Sequence, residues 1–348
     1  MNVMPLAVRW FAPLLMLLGL AACQRAQVFQ QESYVFGTRV EVAVYGDSEP
    51  QARAATAAVL REFDRLHRAY HAWEPSELTT LNQTIARGEA ATVSPELAAM
   101  LTDAQAIAAT GDGLFNPAMG RLIGLWGFHT DTFVPRLPDP AALAEVVKAA
   151  PSMADLTIAG TTVTSRNRAV ELDLGGYAKG YALDRAAAIL GEQGIRNALI
   201  NIGGNVMALG SKGAQPWRVG ISHPRGPAPL AALPLYDGEA IGTSGDYQRY
   251  FEVDGRRYSH LLDPRSGEPA TGTEALTVLI TPRPGAGTLS DAASKPLFLA
   301  GEHWRAYLAR YHITHALRVD GNGRIQVTRA LGGRLQFLGN NKPDQVVE

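Results

Sequence analysis

At 348 residues, with 46% hydrophobic and 19% charged side chains, the chain can bury a sizeable core and is too apolar to be disordered. A formal net charge of −1, with no long Lys/Arg run, excludes a general affinity for nucleic acid, so any anion must be held by a local cluster. The single cysteine, Cys23, excludes an internal disulfide, and stability must come from packing.

The first element is a targeting segment. After Arg9, Trp10 to Ala22 runs without a charge into Leu20-Ala21-Ala22-Cys23. Spans below about 17 residues do not cross a bilayer, so this is a signal h-region. Leu-Ala-Ala-Cys resembles a bacterial lipobox, with Cys23 lipidated as the first mature residue. The expected layout is a signal peptide at 1–22, a polar lipidated tether at 23–33, one domain at 34–338 and a tail at 339–348. The corresponding location is the bacterial cell envelope, on the periplasmic face of a membrane reached through the lipid.

Tyr34 to Tyr45 alternates as a strand interrupted at Phe36-Gly37-Thr38. Pro50 to Ala69 has helical spacing, with Ala54, Ala58, Leu60 and Phe63 as its apolar positions. Trp73 lies in a polar loop before a capped turn or short helix at Ser76-Glu77-Leu78. Ser94-Pro95 opens another helix, Ser as cap and Pro at its first position, and Gly111 closes it. Gly113 to Gly120 is dense in turn formers, Leu122 to Phe128 is apolar, and Pro135 to Pro140 is a surface excursion before a helix at Ala141 to Ala149. Leu156 to Ile158 and Thr161 to Ser165 form a hairpin.

Val170 to Asp184 carries the first chemical signal. It is predicted as a short strand, a bend at Gly175-Gly176 and a helix with Lys179 in its first turn. Glycines there let a ligand approach the backbone, the free N–H groups opening the helix favour a phosphate, and Lys179 adds a positive charge. A tight connection with Asp173 and Lys179 as a surface pair is the plainer reading. The pattern is neither Gly-x-Gly-x-x-Gly nor a Walker loop. Ala198 to Ile202, Trp217 to Ser222, Leu230 to Leu235 and Glu239 to Thr243 add strands of one mainly antiparallel sheet.

The second signal follows. Arg249 to Val253, a turn at Asp254-Gly255 and a return strand ending Tyr258-Ser259-His260-Leu261-Leu262-Asp263-Pro264 form a hairpin that leaves His260 at a strand end. Alone, such a His is more often structural. After a strand at Leu276 to Ile280, Ser290-Asp291-Ala292-Ala293-Ser294-Lys295-Pro296 opens a helix toward Leu299, and a last hairpin turns at Gly321-Asn322-Gly323.

Phe36-Gly37-Thr38, Ser76-Glu77-Leu78 with Asn82, Gly113 to Gly120, Asp173 to Asp184, Asn201 to Asn205, Thr243 to Tyr247, His260 to Pro264 and Asp291 follow the order found in ApbE, the bacterial FAD:protein FMN transferases. The resemblance covers Tyr34 to about Phe337. It implies an α+β fold in a single compact domain, with a mainly antiparallel sheet and flanking helices. The implied activity uses FAD and Mg²⁺ to move FMN onto a Thr or Ser hydroxyl of an acceptor protein, with AMP leaving.

By the same resemblance, Phe36, Trp73, Leu114, Phe115, Asn116, Asp173, Lys179 and Leu261 line the FAD site, Gly176, through its carbonyl, and Asp291 hold Mg²⁺, and His260 is the general base. The sequence departs from the family at Lys295, where Thr, a further metal ligand, is usual. An ammonium cannot bind a cation but can neutralise a phosphate, so Lys295 either replaces part of the metal's charge or forms a salt bridge to Asp291. Ser294 is an alternative source of the missing oxygen. Ala-Ala-Ser-Lys-Pro resembles the NosX branch, which implies a membrane-bound acceptor such as a NosR-like regulator or another electron-transfer subunit. The same residues could serve a pyrophosphatase splitting FAD to FMN and AMP, or a non-catalytic flavin-binding lipoprotein.

Overall fold

The computed structural model describes residues 27–348 apart from Asp131 and Phe133, so the signal segment and Cys23 lie outside the described residues. Its frame is a nine-stranded sheet whose spatial order is the chain order. We number its strands β1 (Val28–Val35), β2 (Thr38–Tyr45), β3 (Ala198–Ile202), β4 (Asn205–Leu209), β5 (Ala240–Gly245), β6 (Thr273–Ile280), β7 (His315–Asp320), β8 (Ile325–Thr328) and β9 (Gln345–Val347). Every pairing is antiparallel except β8 with β9. The expected α+β class and mainly antiparallel sheet are therefore found.

Both ends of the domain extend further than expected. Val28 to Ser33, assigned to the tether, pair along the outer edge of β2, and Gln345 to Val347, assigned to the tail, pair with β8. Both are edge strands, whose half-exposed positions take polar residues and so resemble a tail in sequence. The interruption at Phe36-Gly37 is a hairpin turn, both residues having positive φ (57° and 67°).

The helices are α1 (Glu49–Ala69), α2 (Glu77–Arg87), α3 (Pro95–Thr110), α4 (Gly120–Leu125), α5 (Pro140–Ala149), α6 (Ala178–Glu192), α7 (Ala286–Leu299), α8 (Trp304–Arg310) and α9 (Arg329–Gly332). The capping residues read from sequence hold: Ser76 Oγ accepts from Thr79 N, and Ser94 Oγ from Leu97 N. In α1 the buried stripe is Ala52, Ala55, Val59, Phe63 and Leu66, so of the apolar positions read from sequence only Phe63 is fully buried. An Ala-rich helix has several candidate stripes, and packing chooses among them.

One face of the sheet buries α1, α6 and α7 in the main core. The other packs on a separate three-stranded sheet of Trp217–Ser222, Pro229–Leu235 and Gln336–Phe337, sealed by Trp217, Leu230 and Leu233. The strands at 217–222 and 229–235 are thus not members of the main sheet. A smaller aromatic cluster joins Leu122, Trp126 and Phe128 to Phe251 and Tyr258 of the hairpin before His260 and to Leu262 just after it.

Candidate active site

The segment before α6 is extended but is not a strand of any sheet. Its backbone pairs with the loop at 117–120: Asp173 N donates to Pro117 O (2.8 Å), and Gly120 N to Glu171 O (2.7 Å). On its other side Asn82 acts as a substitute strand, donating to Leu172 O (2.9 Å) and accepting from Leu172 N (2.7 Å). This clamp fixes Asp173, whose Oδ1 accepts from Gly175 N at 2.6 Å and so shapes the glycine turn. Burial raises the Asp173 carboxyl above its ordinary value, against that bond and the charges of Arg249 and His71.

The glycine turn leads into α6, which has no side-chain cap at Tyr177. Among the described residues neither Gly176 N nor Lys179 N has a hydrogen-bond partner, so two donors remain at this helix N-terminus. The Lys179 ammonium also makes no hydrogen bond among the described residues. Burial lowers its pKa, Asp291 opposes that shift, and Lys295 and Arg249 add to it.

α7 crosses α6 at its glycines. A Cβ on Gly180 would lie 2.4 Å from Gly287 O, and one on Gly287 would lie 2.6 Å from Gly180 O, so both positions require glycine for the close approach. The two helices cap each other. Asp184 of α6 accepts from Gly287 N (2.8 Å), Thr288 N (2.8 Å) and Thr288 Oγ1 (2.6 Å) at the start of α7. Asp291 of α7, 1% exposed, accepts at Oδ2 from Gly180 N (3.0 Å) in the first turn of α6.

α7 starts at Ala286, so Asp291 to Lys295 lie inside the helix, not at its opening. One turn on from Asp291, the Lys295 ammonium donates to Asp291 Oδ1 and, at 2.8 Å, to Asp291 O. Of the two sequence alternatives for Lys295, the structure contains the salt bridge. Its Cε lies 3.2 Å from where a Gly176 Cβ would sit, beside Phe115. Ser294 Oγ is engaged with Ser244 Oγ (2.7 Å) and Asp291 O (2.7 Å), which removes it as a spare oxygen.

His260 follows the hairpin of Tyr250–Val253 and Arg256–Ser259. Its Nδ1 lies 3.1 Å from Arg249 O; a carbonyl only accepts, so the proton is on Nδ1 and Nε2 keeps its lone pair. Burial, then the charges of Arg249 and Lys179, push the imidazole down to about 3, and Lys295 contributes in the same direction. Arg249 is itself held by Phe128 O (3.1 Å) and Thr130 O (2.9 Å).

The remaining expected residues divide into two groups. Phe36 packs on Phe63 and His67, His67 on His71, and Trp73 against His129 at 5.5 Å, forming an aromatic wall beside Asp173. Leu114, Phe115 and Leu261 are buried in the fold. The Asn116 amide is taken up internally, donating to Pro151 O and accepting from Ala118 N, so it shapes the loop. Sequence reasoning missed His67, His71, His129 and Arg249 as site residues. The close spacing of His67, in the last turn of α1, and His71, just past its end, was the available signal for two of them.

Fold and site define an α+β protein that gathers cations and a neutral imidazole at a helix N-terminus, an arrangement suited to a phosphate-containing ligand. The family model described as ApbE matches residues 36–317. A FAD:protein FMN transferase of Rhodobacter capsulatus is 44% identical over 89% of this chain, which spans 59% of that relative's length. One from Klebsiella pneumoniae is 33% identical over 73% of the chain and 78% of its own length. Among solved structures, the ApbE protein of Thermotoga maritima superposes with a TM-score of 0.80 at 32% identity, covering 88% of this chain and 99% of that one. The apo flavinyl transferase ApbE of Pseudomonas stutzeri gives 0.76 at 27% identity, over 89% and 97%. The chain belongs to the ApbE family.

Proposed function

We propose that the protein transfers the FMN half of FAD to a Ser or Thr hydroxyl of an acceptor protein and releases AMP, the activity named for its curated relatives. The observation that carries this reading is the His260 imidazole held through Nδ1 by Arg249 O, with Nε2 turned to no protein partner among the described residues and the charges of Lys179, Arg249 and Lys295 acting on it, a setting that belongs with an anionic substrate. The acceptor hydroxyl oxygen attacks the FMN-side phosphorus, its proton passes to His260 Nε2, and the phosphoanhydride bond to the AMP phosphate breaks. Lys179 and the free amides of Gly176 and Lys179 balance charge on the pyrophosphate. Bound pyrophosphate also offsets the cations that depress His260, moving the imidazole upward and making it a stronger base when substrate is present.

Magnesium was expected at Gly176 and Asp291. As they stand, one Asp291 oxygen holds an amide and the other the Lys295 ammonium, whose chain runs past Gly176, so a divalent ion does not fit at this carboxylate.

Incubating the full chain in detergent with FAD and a Ser/Thr-bearing acceptor domain should give a covalent FMN adduct by intact mass. His260→Asn should lower its rate about 10²- to 10⁴-fold while flavin affinity stays within a few-fold. FMN and AMP without adduct would favour the pyrophosphatase instead.

The Ala-Ala-Ser-Lys-Pro segment supports a membrane-bound electron-transfer acceptor, such as a NosR-like regulator. The Leu-Ala-Ala-Cys motif supports a lipid anchor at Cys23 facing the periplasm. Cys23→Ser should then move the protein to the soluble fraction with transfer intact; a variant that stays in washed membranes would reject the anchor.

A further inference from the structure

We infer that the cation serving Asp291 is built into the chain: the Lys295 ammonium occupies the position, and the wild-type protein takes up no divalent ion there. This rests on the reading of the site as one that holds a pyrophosphate.

The donor set decides it. Asp291 is 1% exposed and its carboxylate has two commitments, Oδ2 to Gly180 N at 3.0 Å and Oδ1 to the Lys295 ammonium. The same ammonium also takes the Asp291 carbonyl at 2.8 Å, so it sits on two oxygens that would otherwise face a cation. The adjacent hydroxyl, Ser294 Oγ, is bonded to Ser244 Oγ and to Asp291 O. Among the described residues no three His, Cys, Asp or Glu side chains converge to hold a metal. A magnesium ion requires close to six oxygens at about 2.0–2.1 Å, several usually from water. Seating one here means breaking the ion pair and leaving the displaced ammonium, still tethered, beside a doubly charged ion.

Charge gives the same answer. Lys179 responds to both Asp291 and Lys295, so the carboxylate already has two ammonium groups near it. One carboxylate cannot balance a further two positive charges in a buried position. The Lys295 chain reaches Asp291 past Gly176, with Cε 3.2 Å from the position a Gly176 Cβ would take, so a side chain at Gly176 would press on it. The ammonium is a donor to phosphate oxygens and a fixed positive charge, the two properties the transfer needs at this point.

The test is a titration of the full chain in detergent with Mg²⁺ alone, followed calorimetrically, and with Mn²⁺ followed by its paramagnetic resonance signal, both without flavin. Wild type should show no saturable site, Lys295→Thr should gain one, and Lys295→Thr combined with Asp291→Ala should lose it. Transfer by wild type should persist in excess chelator, whereas Lys295→Thr should need Mg²⁺. A stoichiometric site in wild type within about threefold of the affinity in Lys295→Thr would overturn the inference, as would complete loss of wild-type transfer on chelation. If Lys295→Thr does not fold, the wild-type titration still decides, and Lys295→Met removes the charge while keeping the chain's bulk. Absence of any FMN adduct, with the metal titrations as expected, would reject the transferase reading and leave the built-in cation standing.

Discussion

Asp184 and Asp291 lie on opposite members of one helix pair, and each turns its carboxylate onto the first turn of the other helix. Asp184 receives three neutral donors from α7, which account for both its oxygens. Asp291 receives one amide from α6 and leaves its second oxygen to an ammonium. The same residue type in the same capping role is therefore met by neutral donors alone at one end of the crossing and paired with a charge at the other. The number of neutral donors in reach makes the difference.

Asp291→Ala is the harshest test of this contrast. It removes a cap and the counter-charge of Lys295 together, and FMN transfer should fall by about 10²-fold or more while flavin binding largely survives. Transfer at wild-type rates by the folded variant would make Asp291 a cap only, equivalent to Asp184.

Gly180→Ala breaks the pair at its crossing. Its Cβ would meet Gly287 O at 2.4 Å and Thr288 Cα at 2.7 Å, backbone atoms that cannot rotate away. A loss of about 3 kcal/mol is expected, read as a drop in thermal unfolding temperature of several degrees. An unchanged melting curve would mean that the helices have room to part.

Asp184→Asn should have the smallest effect, about 1 kcal/mol from the exchange of one acceptor oxygen for a donor. Burial raises the Asp184 carboxyl above its ordinary 3.8, the three bonds opposing the shift. A carboxyl raised in the folded state contributes stability that is full below the unfolded value and is lost as pH rises through the folded one. The gap between wild type and Asp184→Asn in denaturant unfolding should accordingly be wider in acid than at neutral pH. A gap that widens toward neutral pH would show that the three bonds outweigh burial.

Local signals were legible in the sequence, and long-range ones were not. Ser76 and Ser94 announced their helices because the cap lies next to the helix it serves. The start of α7 was placed too late because its N-cap, Gly285, has no side chain and the capping carboxylate comes from Asp184 on another helix. Val170 to Asp173 looked like a strand because apolar and acidic residues alternate along it. Its partners are a loop and the Asn82 side chain, which no periodicity reveals. Lys295 was visible as a departure, but the direction of its ammonium depended on the helix running through both Asp291 and Lys295. Arg249 appeared only as the first residue of a strand; its role follows from the fold of the hairpin, which sets its carbonyl against His260.

The sheet's order has a consequence for how the protein matures. Since spatial order equals chain order, each strand emerging during synthesis finds its sheet neighbour already in place, with the long excursion between β2 and β3 as the main delay. The bond from Gly180 to Asp291 spans 111 positions and waits for α7, which follows β6. A nascent chain that has just completed β6 thus possesses most of the scaffold and the His260 hairpin but no counter-charge for Lys179. The order of synthesis alone therefore keeps the surroundings of Lys179 incomplete until α7 has been made.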